Sequence, residues 1–196
     1  MGPDALRLAL TRATDASSDY DLNPGISLPE GRKLRAAAVL IPVWERPGGA
    51  QLILTKRASH LAHHPGQIAF PGGKIDAGDA SPEAAALREA EEEVGLDPAR
   101  VEILGQLPPH ETVTGYTVVP VLALVRGELD FRCDPREVEE VFTVPLAHVL
   151  TPARYRIERR LWRGEWRRYY TVPWGPYYIW GATARMLRGL ADRMAA

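Results

Sequence analysis

The chain has 196 residues, 45% of them hydrophobic and 25% charged, with a formal net charge of -1. It is too apolar for intrinsic disorder, and long enough to bury roughly 70% of its unfolded surface without a structural metal. The near-zero charge selects neither nucleic acid nor membrane. The single cysteine, Cys133, excludes an internal disulfide scaffold, and no apolar run approaches the ~20 residues of a membrane span. The first residues are interrupted by Asp4 and Arg7, so they lack a signal-peptide core, and the terminal Arg-Met-Ala-Ala matches no retention or peroxisomal address. A soluble, cytoplasmic protein is expected.

Residues 1–32 carry few strong signals: Leu6 to Leu10 predicts a short helix and Asp15 to Pro29 a loop. Arg35 to Trp44 reads as a buried strand, Pro47-Gly48-Gly49 as a turn and Gln51 to Lys56 as a second strand, the two predicting a hairpin. A loop with three histidines follows over residues 57–67. Ile68 to Phe70 is a short strand ended by Pro71-Gly72-Gly73. Ser81 as N-cap and Pro82 in the first helical position open a helix that runs to about Val94, where Gly95 suits the left-handed closing position. Val101 to Leu107 and Thr117 to Val125 are strands; Arg136 to Val144 and Pro145 to Leu150 form a strand end and a short helix. Arg154 to Trp162 and Arg167 to Val172 predict a strand pair around Gly164, and Tyr178 to Met194 a final amphipathic helix. Strands and helices alternate without a regular βαβ rhythm. The pattern predicts an α+β fold with a mixed β-sheet flanked by helices, as one domain over 34–196 behind an N-terminal extension over 1–33.

The net charge hides a split. Eight acids lie between Asp76 and Asp97 against one base, Arg88, while ten arginines lie between Arg154 and Ala196 against Glu158, Glu165 and Asp192. Two solvated faces would explain this; so would a cation site in the middle and an anion site near the end. On a helix turning ~100° per residue, Leu87, Ala90 and Val94 form one stripe and Glu89, Glu92 and Glu93 lie on the opposite side, with Glu91 off that face. Three such carboxylates repel one another unless they share a hard divalent cation such as Mg2+, which takes carboxylate oxygens, waters and substrate phosphates. A glycine-rich loop, Gly72-Gly73 to Gly78, precedes the helix, and Arg88 can pin a neighbouring carboxylate.

Gly73 followed by Arg88-Glu89-Ala90-Glu91-Glu92-Glu93-Val94-Gly95-Leu96 resembles the Nudix box, whose tail reads R-E-U-x-E-E-x-G-U with U apolar. The spacing from Gly73 to Arg88 is one residue longer than in the general box. The usual loop glutamate therefore falls on Ala80, with Asp79 beside it. Leu54-Thr55-Lys56-Arg57, then Leu61, then His64-Pro65-Gly66-Gln67-Ile68-Ala69-Phe70-Pro71-Gly72-Gly73 resembles the signature of the bacterial coenzyme A pyrophosphatases within that family, which carry the longer loop. Ile179 to Ala184 and Glu137 to Leu146 are similar to that group's later motifs, so the resemblance covers about residues 34–190.

The resemblance implies the α/β/α sandwich of the Nudix fold and hydrolysis of a nucleoside diphosphate linked to another group. For coenzyme A the products are 3′,5′-ADP and 4′-phosphopantetheine. It implies Mg2+ or Mn2+ held by Glu89, Glu92, Glu93 and the Gly73 backbone, with Glu92 and Glu93 in the catalytic set. The general base is left among Glu137, Glu140 and a box glutamate, and Arg57, His64, Gln67 and Arg88 are expected at the substrate. NADH, ADP-ribose or an oxidised nucleotide are alternative substrates; a non-catalytic nucleotide- or RNA-binding module is the alternative class. No nucleic-acid or membrane partner is expected, and a homodimer is allowed. His60, His63 and His64 are spaced like zinc ligands, but Pro65-Gly66 follows and no cysteine is near. Nine aromatics from Tyr155 to Trp180 suit sheet packing or a platform for adenine or pantetheine; the interleaved arginines suit an RNA strand or the 3′-phosphate of coenzyme A.

Overall fold

The apolar run Arg35–Trp44 is buried on both sides, as expected of a strand covered on two faces. The structure, a computed structural model, describes residues 2–13, 15–26, 31–162 and 164–195; the expected loop over 27–29 and Arg163 of the arginine run lie outside them. In chain order the elements are α1 (Pro3–Thr11), β1 (Ser17–Ser18), β2 (Arg35–Trp44), β3 (Gln51–Arg57), β4 (Ile68–Ala69), β5 (Gly72–Lys74), α2 (Pro82–Val94), β6 (Val101–Gln106), β7 (His110–Glu111), β8 (Tyr116–Val125), β9 (Val138–Pro145), α3 (Leu146–Val149), β10 (Arg156–Trp162), β11 (Glu165–Thr171) and α4 (Gly181–Ala195).

The sheet is mixed. β2 and β8 run parallel over their full length, from Arg35 opposite Tyr116 to Trp44 opposite Val125. β6 and β7 pair antiparallel with β8, and β9 with β3. Alternate side chains of β2 feed two cores. Ala37, Ile41 and Val43 pack with Leu6 of α1 and Leu187 and Leu190 of α4. Ala38 and Leu40 pack with Ala85, Ala86, Ala90 and Val94 of α2. Helices thus cover both faces of an α+β fold, and burying each large aliphatic side chain of these cores stabilises by roughly 1.5–3 kcal/mol.

Three expectations are corrected. The predicted hairpin is real only at its tip, where Val43 faces Leu52 and Trp44 faces Gln51. β9 lines the other edge of β3 over its whole length, from Gln51 opposite Pro145 to Arg57 opposite Val138, and β4 pairs with Thr55 and Lys56, while the Gly72–Lys74 segment, expected to end a strand, pairs with Ala37–Val39 of β2 as β5. The last helix begins at Gly181 rather than Tyr178, because the chain before it is still engaged with β11: Val172 N–H donates to the Ile179 carbonyl at 2.9 Å and Thr171 bridges Trp180.

Candidate active site

Helix α2 begins and ends as its sequence dictates. The Ser81 hydroxyl accepts the Ala84 N–H at 3.2 Å, and Gly95 closes the helix at φ 69°. Its small residues Ala85, Ala86 and Ala90 let it lie close on the sheet. That close approach corrects the expected carboxylate face. Glu93 is not opposite the apolar stripe; it is 5% exposed and sits at the stripe's edge. There its Oε2 accepts the Gly72 N–H at 3.1 Å. Burial pushes its pKa up to about 8; Glu137 and Glu89 add to the rise, while the Gly72 N–H and Arg57 oppose it. Burial likewise raises Glu89, against the pull of Arg88.

Two glycines make this approach possible. A Cβ on Gly72, at φ +151°, would lie 2.5 Å from the Ala38 carbonyl oxygen. A Cβ on Gly73 would lie 2.6 Å from the Glu89 carboxyl carbon, so the missing side chain leaves a cradle that the carboxylate fills.

Arg88, expected at the substrate, ties the box together and does not line the cavity that opens beside Gly72. Its Nε and Nη2 each donate to Asp79 at 3.0 Å, Nη1 donates to Glu89 at 2.9 Å and to Glu92 at 3.3 Å, and Nη2 also reaches the Lys74 carbonyl at 3.2 Å. Asp79 therefore carries a role that the longer loop had obscured: it holds Arg88 by a bidentate pair, which keeps its own carboxyl below the usual range. Glu92 is drawn outward, with 61% of its side chain exposed, and does not converge with Glu89 and Glu93 as expected. Among the described residues, no three acidic, histidine or cysteine side chains are already gathered around one point. The two downstream glutamates are separated. Glu137, in the turn before β9, acts electrostatically on both Glu89 and Glu93. Glu140 instead accepts the Tyr177 hydroxyl, and Tyr177 stacks on Phe142 with centroids 3.5 Å apart.

A cavity of about 1100 Å³ opens beside Gly72. Arg57, His64 and Gln67 of the expected substrate residues line it, and so does Glu140, one of the candidate bases. His64 adopts φ 55°, an uncommon backbone for a non-glycine residue, and burial together with the Arg57 charge lowers its pKa. His60 and His63 do not line the cavity. The aromatics divide: Tyr155 is buried in the core, while Trp162, Tyr169, Tyr177, Tyr178 and Trp180 line the cavity. Asp19, from the segment after α1, also reaches the cavity, through bonds to the Val113 N–H at 2.8 Å and to His110 at 3.2 Å. Its distance in sequence from the box gave no signal of this.

A model of the NUDIX domain matches residues 33–163. The chain belongs to the Nudix family. A protein of Escherichia coli K12 named as an uncharacterized Nudix hydrolase, NudL, is 48% identical over 157 residues, covering 80% of this chain and 81% of that protein. The NudL of Shigella boydii serotype 4 gives the same values. Among solved structures, the Nudix hydrolase RenU of M. smegmatis is 27% identical with a TM-score of 0.51, covering 60% of this chain and 74% of that one. A MutT/nudix family protein from Enterococcus faecalis shares the fold at 18% identity and TM-score 0.53, over 88% of this chain and 66% of that one.

As a Nudix hydrolase, the chain acts on a nucleoside diphosphate derivative, and Nudix hydrolases generally use Mg2+ or Mn2+. The donor set here fits such a cation. Glu89 and Glu93 offer hard oxygens beside the glycine strand; burial chiefly, and then repulsion from Glu137 and Glu89, raises Glu93, and a divalent charge offsets both.

Proposed function

We propose that this Nudix hydrolase cleaves the diphosphate of coenzyme A to 3′,5′-ADP and 4′-phosphopantetheine. One observation carries the reading. The segment that resembles the coenzyme A pyrophosphatase signature, His64 to Phe70, lines the cavity continuously and ends at the glycines that cradle the box carboxylates. A cavity of about 1100 Å³ is at the upper end for small-molecule sites and suits a long substrate.

Glu89 and Glu93, with the Gly73 backbone, would hold Mg2+ or Mn2+. Bound there, the ion supplies neutralisation of the diphosphate oxygens and a lower pKa for the attacking water. Arg57 neutralises the phosphate charge from the cavity side. Water attacks one phosphorus; a P–O bond forms, the bond to the bridging oxygen breaks, and the other phosphate departs. Glu137, whose charge already acts on Glu89 and Glu93, takes the proton. Glu92 supports the site through Arg88, and Glu140 positions Tyr177 at the cavity wall.

Incubation of the purified protein and Mg2+ with coenzyme A, NADH and ADP-ribose in parallel tests the reading by chromatography of the products. Formation of 3′,5′-ADP from coenzyme A as the fastest reaction is expected. Intact coenzyme A beside rapid cleavage of another of these substrates would overturn it.

A further inference from the structure

The β10–β11 hairpin sets arginines face to face across its ladder: Arg159 opposite Arg168, and Arg160 opposite Arg167. Like charges directly opposite on a sheet are destabilising. Strand alternation places Arg160, Arg167 and Trp162 on one face, and all three line the cavity. Among the described residues neither Arg160 nor Arg167 makes an ion pair. Glu158, on the same face, accepts the Tyr178 hydroxyl instead, at 2.6 Å.

Both guanidinium groups rest on rings. Arg160 lies 4.7 Å from the Trp180 centroid; Arg167 lies 4.3 Å from that of Trp162 and 5.7 Å from that of Tyr20. Stacking orients a guanidinium plane and leaves its edge donors for a planar or tetrahedral anion. Arg167 Nε is buried without a hydrogen-bond partner. Two oriented, unneutralised forks side by side match the charge and the several acceptor oxygens of one phosphomonoester dianion.

We propose that Arg160 and Arg167 form a second anion subsite, which binds a phosphomonoester that the substrate carries away from its scissile diphosphate. On the coenzyme A reading, on which this rests, that group is the 3′-phosphate. The pair lines the concave cavity rather than the hairpin's outer face, which favours one terminal phosphate over the running backbone of an RNA strand.

Two measurements test it. The first is kcat/KM for coenzyme A against 3′-dephospho-coenzyme A, in the wild type and in Arg160→Ala, Arg167→Ala and the two lysine variants. The wild type should favour coenzyme A by about 10- to 100-fold, chiefly through KM. That ratio should collapse toward one in the alanine variants and only partly recover in the lysine variants, with circular dichroism unchanged. The second is binding of 3′,5′-ADP, 5′-AMP and inorganic phosphate, followed by tryptophan fluorescence. The 3′,5′-ADP should bind at least about 10-fold more tightly than either of the others, and this advantage should disappear in the alanine variants. Equal turnover of both coenzymes overturns the subsite and leaves the coenzyme A reading standing. No turnover of either, with the 3′,5′-ADP preference intact, overturns the coenzyme A reading and leaves the subsite. Equal binding of 3′,5′-ADP and 5′-AMP, or tighter binding of single-stranded RNA through the same arginines, overturns the subsite. If an alanine variant loses its fold, the lysine variants decide: an undiminished preference there means the arginine forks do not make the subsite.

Discussion

Glu93 is held where its neutral form is the more comfortable one. Its pKa is about 8 against an ordinary 4.5, so between those values the metal-free native state keeps a proton that the unfolded chain has lost. Stability from this residue is therefore fully present below about pH 4.5 and is lost as pH rises through 8, by roughly 5 kcal/mol in all. Urea unfolding in EDTA at pH 5 and pH 8.5 measures this; Glu93→Gln, which cannot ionise, should flatten most of the dependence. The same variant should lower kcat by about 10²- to 10⁴-fold, because the oxygen pair that meets the cation is halved. Steady-state kinetics on folded protein checks it. None of this burial was legible in the sequence. The wheel separates Glu93 from Leu87, Ala90 and Val94, but it cannot know that a glycine strand will cover the helix edge and offer an N–H.

At the scale of elements, β5 makes a prediction from two adjacent glycines with opposite outcomes. Gly72→Ala drives a Cβ against the Ala38 carbonyl at 2.5 Å in a positive-φ conformation. Backbone must move, and a loss of about 2–4 kcal/mol is expected in thermal denaturation. Gly73→Ala meets only the end of the Glu89 side chain, 2.6 Å away. The fold should survive with a small change in Tm while kcat falls with Glu89 displaced, so the two variants separate structure from chemistry. Helix α2 was legible to its caps because Ser81, Pro82 and Gly95 each specify a backbone geometry. β5 was not, because three residues with two glycines carry no hydrophobic period; what defines them is contact with β2. The hairpin was half legible for a related reason: its turn is local, whereas β9, which lines the other edge of β3, and β5, which takes β2 beyond the tip, come from further along the chain.

Across the whole molecule, the two layers of helix follow from the alternation of β2 and the amphipathic ends of the chain, which the sequence shows. The cavity does not, since its wall is gathered from the loop after β3, the β10–β11 hairpin, the start of α4 and the segment after α1. That last segment clasps the hairpin. Asn23 gives its amide to the Arg168 carbonyl at 2.9 Å and takes the Arg168 N–H at 2.8 Å, and Asp21 pairs with Arg185 at 2.7 Å. Asn23→Ala should loosen the wall without touching the box, raising KM about 3- to 10-fold at little cost in kcat. A matched fall in kcat would show instead that the clasp serves the fold as a whole.

The proposed chemistry requires Glu89 and Glu93, gathered at the glycine strand, to hold a divalent cation. Electron paramagnetic resonance of Mn2+ titrated into the protein at pH 8, without substrate, addresses that directly. Saturable binding in the wild type that is lost in Glu93→Gln and kept in Glu91→Gln is the result predicted; equal binding by all three proteins would contradict it.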